Sequence, residues 1–191
     1  MKKNQKIRAP FHAALNLIIP AVSLLTLGCV SPLRADPGNA NREPELSAEC
    51  AAIKVPDGNK VASHVYAAGV QIYRWNGTSW AFVAPSAKLY ANAGFDGHVG
   101  THYAGPTWES NSGSKVVGTR LAGCTPDPTA IPWLLLTAVS SEAPGAFHQI
   151  TYIQRVNTIG GIAPATAGTA VGEEVRVPYA AEYFFYSAAN R

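Results

Sequence analysis

Charge is scarce in this chain. Asp, Glu, Lys and Arg make up 14% of the 191 residues, and the one basic cluster is the amino-terminal "MKKNQKIR". No basic stripe remains to follow a nucleic-acid backbone or an anionic membrane, so neither partner is expected. Catalytic signatures are missing as well. There is no HExxH, no paired CxxC and no closed set of metal ligands. A GxSxG elbow is also absent, and Gly160-Gly161 is not a phosphate loop. No metal and no cofactor are expected. No helical period is sustained, and beyond the first 35 residues no segment is apolar for long enough to span a membrane.

Cysteine is sparse too, and its placement is informative. The first 35 residues read as a signal peptide: four positive charges, the apolar run "FHAALNLIIPAVSLLTLGCV", and Ala35 before a cut at Asp36. Of three cysteines, Cys29 leaves with this leader, and Cys50 and Cys124 remain. An even count in an oxidising compartment reads as a disulfide, against the alternative of two buried thiols. Residues Lys2, Lys3, Lys6, Arg8 and Arg34 are also lost, which leaves ten basic and twelve acidic groups and a formal charge of −2. The isoelectric point of 8.8 for the whole chain is therefore misleading. A secreted or periplasmic location is expected. "LTLGC" weakly matches a lipid-attachment motif at Cys29, but Thr26 and Leu27 fit it poorly, so lipid anchoring is the lesser reading.

Residues 36–49, polar and proline-containing, read as a flexible lead-in, and the folded domain is expected over 50–191. From Cys50 onward turn signals recur every 8–15 residues, at Asp57-Gly58, Asn76-Gly77, Asp96-Gly97 and Ser112-Gly113. Between them lie short β-type runs such as "KVASHVYA", "GVQIYRW", "WLLLTAV" and "HQITYIQRVN". This pattern predicts a single all-β domain, an antiparallel sandwich with a closed or partly open barrel as the alternative. Gly160 to Gly172 reads as a long loop. In "EVRVPYAAEYFFY", Tyr183 and Phe185 share one face and Phe184 and Tyr186 the other, so this last strand should be buried on both sides.

"GVQIYRWNGTSWAFV" is the clearest hairpin. Whether Trp75 pairs with Thr78 or with Trp80, parity puts Tyr73, Trp75, Trp80 and Phe82 on one face. Those rings are either core, or covered by a loop, or an exposed platform for sugar rings, an apolar ligand or a protein. In "HYAGPTWES", a hairpin at "AGPT" would set His102 opposite Glu109 and Tyr103 opposite Trp108. That pair would suit general acid–base chemistry, with Asp96 or Ser114 nearby. Gly105-Pro106 fits a tight hairpin poorly, and a structural His–Glu pair is the plainer reading. His98 and His102 share parity but lie about 13 Å apart in an extended strand, too far to chelate one ion.

With "GVQIYRW", "HYAGPTWE", "IPWLLL", "TYIQRVNT" and "VPYAAEYFFY" in order, the chain resembles domain-of-unknown-function family 3455, exported proteins of bacteria and fungi, from about Val55 to Tyr186. The resemblance implies a secreted, mainly β domain with no established activity, and it assigns no functional residue. Many members carry Asp-Gly-Ser where this chain has Ser112-Gly113-Ser114, and a cysteine where Trp75 stands. The first departure removes a carboxylate, which weakens a catalytic role there. The first functional expectation is a non-catalytic binding or envelope-interaction protein using Tyr73, Trp75, Trp80, Phe82 and Trp108. Its partner would be a carbohydrate, an apolar ligand or an envelope component. The alternatives are a hydrolase-like enzyme built on His102 and Glu109, and a purely structural secreted protein.

Overall fold

A computed structural model of the protein describes residues 42–142 and 144–189; the expected leader lies outside them. Eight strands follow one another: β1 (Asn59–Trp75), β2 (Trp80–Tyr90), β3 (His98–Tyr103), β4 (Thr107–Ser110), β5 (Lys115–Cys124), β6 (Trp133–Glu142), β7 (Ile150–Gly160) and β8 (Glu174–Ala188). Each pairs antiparallel with its successor, and β8 returns to pair with β1 along nearly its whole length, from Asn59↔Ala188 to Arg74↔Glu174. The sheet is therefore a closed up-and-down barrel. The all-β antiparallel expectation holds, and of its two forms the chain takes the ring-closed one, with β2 and β5 reaching past the short β3–β4 pair on one side.

Closure depends on bends that local sequence marks with glycine. "KVASHVYA" and "GVQIYRW" are one strand, not two, because Gly69 is a crossing point rather than a turn. A side chain there would collide with the Ser86 carbonyl and with Ala87 on β2. Register shifts at Ile72/Tyr73, Leu89/Tyr90 and Val117/Gly118 add the local twist that a barrel wall requires. The β1–β2 connection pairs Trp75 with Trp80. Asn76 fixes it by accepting the backbone N–H groups of Thr78 and Ser79 on Oδ1, at 2.9 and 2.8 Å.

Inward-facing side chains form the main core: Val65, Leu89, Val116, Ile153 and Phe185 among them, with Phe147 packed 4.5 Å from the Phe185 ring. The 144–149 segment stoppers this end. Phe147 N–H donates to Ser114 Oγ at 3.1 Å, and Ser141 Oγ–H donates to the Phe147 carbonyl at 2.5 Å. A second cluster lies outside the wall, where the 3-10 turn Ala48–Ile53 lies over Leu135, Val156, Phe184 and Tyr186. The Cys50–Cys124 disulfide pins that turn to β5, with the two Cα atoms 5.3 Å apart. Gln154 Nε2 donates to the Ile53 carbonyl at 2.8 Å and its Oε1 accepts Tyr186 Oη–H at 2.8 Å. Strand β8 is thus buried on both sides, Tyr183 and Phe185 in the lumen and Phe184 and Tyr186 beneath the turn.

Candidate ligand pocket in the barrel lumen

The barrel narrows to solid core at the Phe147 end but not at the other. There the carboxyl end of β1, the first half of β2, the β3–β4 turn and the middle of β5 surround a cavity of about 550 Å³. Its inner wall is built by strand alternation, since Gln71 and Tyr73, Leu134 and Leu136, and Arg155 and Tyr183 all sit at inward positions. Gly118 keeps the wall open: a Cβ there would press on Ile153, Trp108 and Leu136 at 3.1–3.3 Å.

At its base the His102 imidazole lies flat on the Trp108 indole, with centroids 4.3 Å apart and planes 9° apart. Tyr183 meets both rings edge-on at 5.2 and 5.3 Å. His102 Nδ1–H donates to the Thr107 carbonyl at 2.8 Å, which leaves Nε2 as an acceptor. Burial drives the His102 pKa down to about 3; the Thr107 bond works against this and the nearby Arg155 charge adds to it. The ring is therefore neutral at ordinary pH.

Several polar groups on residues in and beside this lining are poorly satisfied. Gln71 Nε2, Trp108 Nε1 and the Tyr183 hydroxyl are buried and have no hydrogen-bond partner. So is the Tyr179 hydroxyl, which approaches that of Tyr183 without reaching hydrogen-bond geometry; burial holds its ionisation far above the usual range. Arg155 donates Nε–H and an Nη2–H to the Pro132 carbonyl, at 3.1 and 2.8 Å. Among the described residues it has no carboxylate partner, and no Asp or Glu lines the cavity. Arg120 stands exposed at the rim. Native proteins rarely leave several buried donors unpaired in one place, so the cluster calls for an explanation.

The expected His102–Glu109 pair is not formed. Three residues, 104–106, connect β3 to β4, so Tyr103 faces Thr107 and His102 faces Trp108. A shift of one residue reverses every side chain. His102 points into the lumen, while Glu109 lies outside, accepting Tyr103 Oη–H at 2.7 Å with Lys115 Nζ at 3.4 Å. The Tyr103 bond, with help from Lys115, holds the Glu109 carboxyl below its usual range. Asp96 sits in an exposed turn, and Ser114 Oγ is occupied by the Phe147 amide. A His–Glu contact exists elsewhere: His64 Nε2 and Glu182 Oε2 are 2.8 Å apart on the outer face, where His64 stacks on Phe184 at 3.9 Å. Among the described residues no three His, Cys, Asp or Glu converge on a metal position.

Nor do the five aromatic residues make one exposed strip. Trp75 and Trp80 pack edge to face at 5.4 Å, and the 160–172 loop lies over them. Trp80 Nε1–H donates to the Thr166 carbonyl at 2.8 Å, and Gly168 lies against the Trp75 ring. Tyr73 is 8% exposed and its hydroxyl donates to the Gly161 carbonyl at 2.6 Å, whereas Phe82 is 56% exposed at the rim. Tyr73, Phe82 and Trp108 line the cavity and the other two rings do not. Sequence reasoning passed over Gln71, Arg155 and Tyr183 as site residues. The available signal was a polar or charged side chain at a parity shared with core residues, Arg155 with Ile153 and Gln71 with Ala67.

No curated protein and no solved structure shows significant similarity to the chain. Residues 56–187 match the family described as protein of unknown function DUF3455, covering β1 to β8, and the chain belongs to that family.

Proposed function

We propose that this is an exported, non-catalytic binding protein whose barrel lumen takes up one small organic molecule. The observation that carries this reading is a half-open cavity of about 550 Å³, lined mainly by apolar and aromatic residues, with unsatisfied donors on several residues in and beside that lining. Sites for small ligands have this size and makeup: concave, mostly apolar, with a few polar groups that fix orientation. Binding is favoured over hydrolysis because the one imidazole in the cavity is held neutral, stacked and tied to a backbone carbonyl. No carboxylate faces it. Export is supported by the leader pattern and by the disulfide, which belongs in an oxidising compartment.

The test uses N-phenyl-1-naphthylamine, an uncharged dye that brightens in apolar surroundings. Titration of the mature protein should give saturable enhancement at one site per chain. Leu134→Trp, which fills the lumen from β6, should abolish the signal while the far-ultraviolet spectrum stays that of the wild type. Absence of saturable binding, or unchanged binding by Leu134→Trp, would remove the lumen as a site.

A further inference from the structure

We propose that the ligand is a monocarboxylate with an apolar body, its carboxylate held by Arg155 together with the Trp108, Tyr183 and Gln71 donors. This rests on the lumen being a binding site, and it adds the charge and chemistry of what binds. Three observations converge on it.

The first is charge. A guanidinium inside a protein is normally matched by a carboxylate. Arg155 is part-buried on the inner wall, yet it is bonded only to the Pro132 carbonyl, and the lining of the cavity contains no acid. Among the described residues no negative charge completes the site.

The second is the direction of the unsatisfied groups. Indole Nε1–H can only donate, and an amide nitrogen likewise. Trp108 is 1% and Gln71 2% exposed, both without an acceptor, and both line the cavity. Tyr183 pairs across the wall with Arg155 in register, and its ring touches that of Trp108. Gln71, Trp108 and Tyr183 thus line the same cavity as Arg155, and each carries a buried donor that lacks an acceptor. An acceptor-only group of two oxygens and one negative charge satisfies such a set.

The third is magnitude of charge. The imidazole at the base is neutral, so Arg155 is the one cation of the inner wall; Arg120 lies exposed at the rim. A carboxylate matches a single buried charge. A phosphate dianion would be left under-compensated, and an ammonium would be repelled by the Arg155 guanidinium. The rest of the lining includes Leu134, Leu136, Ile131, Pro85 and the exposed Phe82, which suits a hydrocarbon body.

The experiment is displacement of bound N-phenyl-1-naphthylamine by decanoate, decanol, decylamine and decyl phosphate at pH 7.5. Decanoate should displace the dye at tenfold or more lower concentration than decanol, with decylamine weakest. Arg155→Gln should erase the preference for decanoate over decanol, read as the ratio of the two displacing concentrations within each protein, so that a change in dye affinity cancels. Because Arg155 also ties down the Pro132 carbonyl, Trp108→Phe is the second variant; it should weaken decanoate several-fold and decanol little. Dye binding with equal displacement by decanoate and decanol would overturn the carboxylate assignment alone, leaving the lumen a neutral or water-filled site. Tighter binding of decyl phosphate, or a decanoate preference unaltered in both variants, would overturn it too. A dye that never enters would overturn both readings.

Discussion

His102 makes the fold acid-sensitive by an amount that can be worked out. Unfolded, its imidazole titrates at the ordinary value of 6.5; folded, burial lowers this to about 3. Above pH 6.5 both states are neutral at this site and it contributes no pH dependence. Below 6.5 the unfolded chain takes up a proton that the folded chain refuses, so stability falls as pH falls. Each unit of difference is worth about 1.4 kcal/mol, giving a loss that approaches about 5 kcal/mol only below pH 3 and is about 3 kcal/mol between pH 7.5 and 4.5. The assay is urea denaturation of wild type and His102→Asn at several pH values, with the disulfide intact. Asparagine can still donate to the Thr107 carbonyl but does not titrate. Its lost stacking on Trp108 lowers stability by the same amount at every pH, and Glu109, Glu182 and Glu173, all held below their usual range, act alike in both proteins. The wild-type curve should therefore fall more steeply, and the gap between the two proteins should change by about 3 kcal/mol from pH 7.5 to 4.5. Parallel curves would mean that water or a shifted ring relieves the charge, and that the stacked neutral imidazole is not the state in solution.

Other perturbations test the frame. Replacing Cys50 and Cys124 by alanine releases a cross-link between residues 74 apart, which should lower stability by about 4 kcal/mol in chemical denaturation. Gly69→Val puts methyl groups into the backbone of β2, and loss of soluble folded protein on expression is expected. Trp80→Phe removes the bond to the Thr166 carbonyl, so limited proteolysis should cut the 160–172 loop faster than in wild type while the barrel stays intact.

Much of this frame is legible in alternation alone. Tyr73, Trp75, Trp80 and Phe82 keep the shared parity that both candidate turns imply, and β8 comes out two-faced, because period-2 parity is a local property that survives without knowledge of partners. The failures have equally specific causes. His102 and Glu109 part because the β3–β4 connection is one residue shorter than "AGPT" suggests, and parity amplifies that single residue into opposite faces. Closure of the ring rests on β1 meeting β8 across more than a hundred residues, for which adjacent sequence holds no signal. The cavity depends on closure, so its composition was hidden as well. Only afterwards do Gln71 and Arg155, separated by 84 positions, become neighbours of one space.

Two tyrosines on β8 offer a matched test of whether the lumen donors really lack partners. Tyr183 and Tyr186 are both at most 1% exposed, lie on one strand, and differ only in which side of the wall they face. Outside, Tyr186 Oη–H is bonded to Gln154, whose other end holds Ile53 in place. Phenylalanine there strands the Gln154 oxygen in an apolar cluster, and a loss of about 1–3 kcal/mol is expected. Inside, the Tyr183 hydroxyl has no partner, so Tyr183→Phe removes a desolvated group without breaking a bond or changing the ring. Stability of the ligand-free protein should then stay level or rise by up to about 1 kcal/mol, the reverse of the usual result for a buried tyrosine. The same change should weaken decanoate while sparing decanol, since the hydroxyl is useful only when an acceptor is present. Equal losses at both positions would show that Tyr183 is already bonded in the empty barrel. Only Trp108 and Gln71 would then be left with unpaired donors among the residues of the lining.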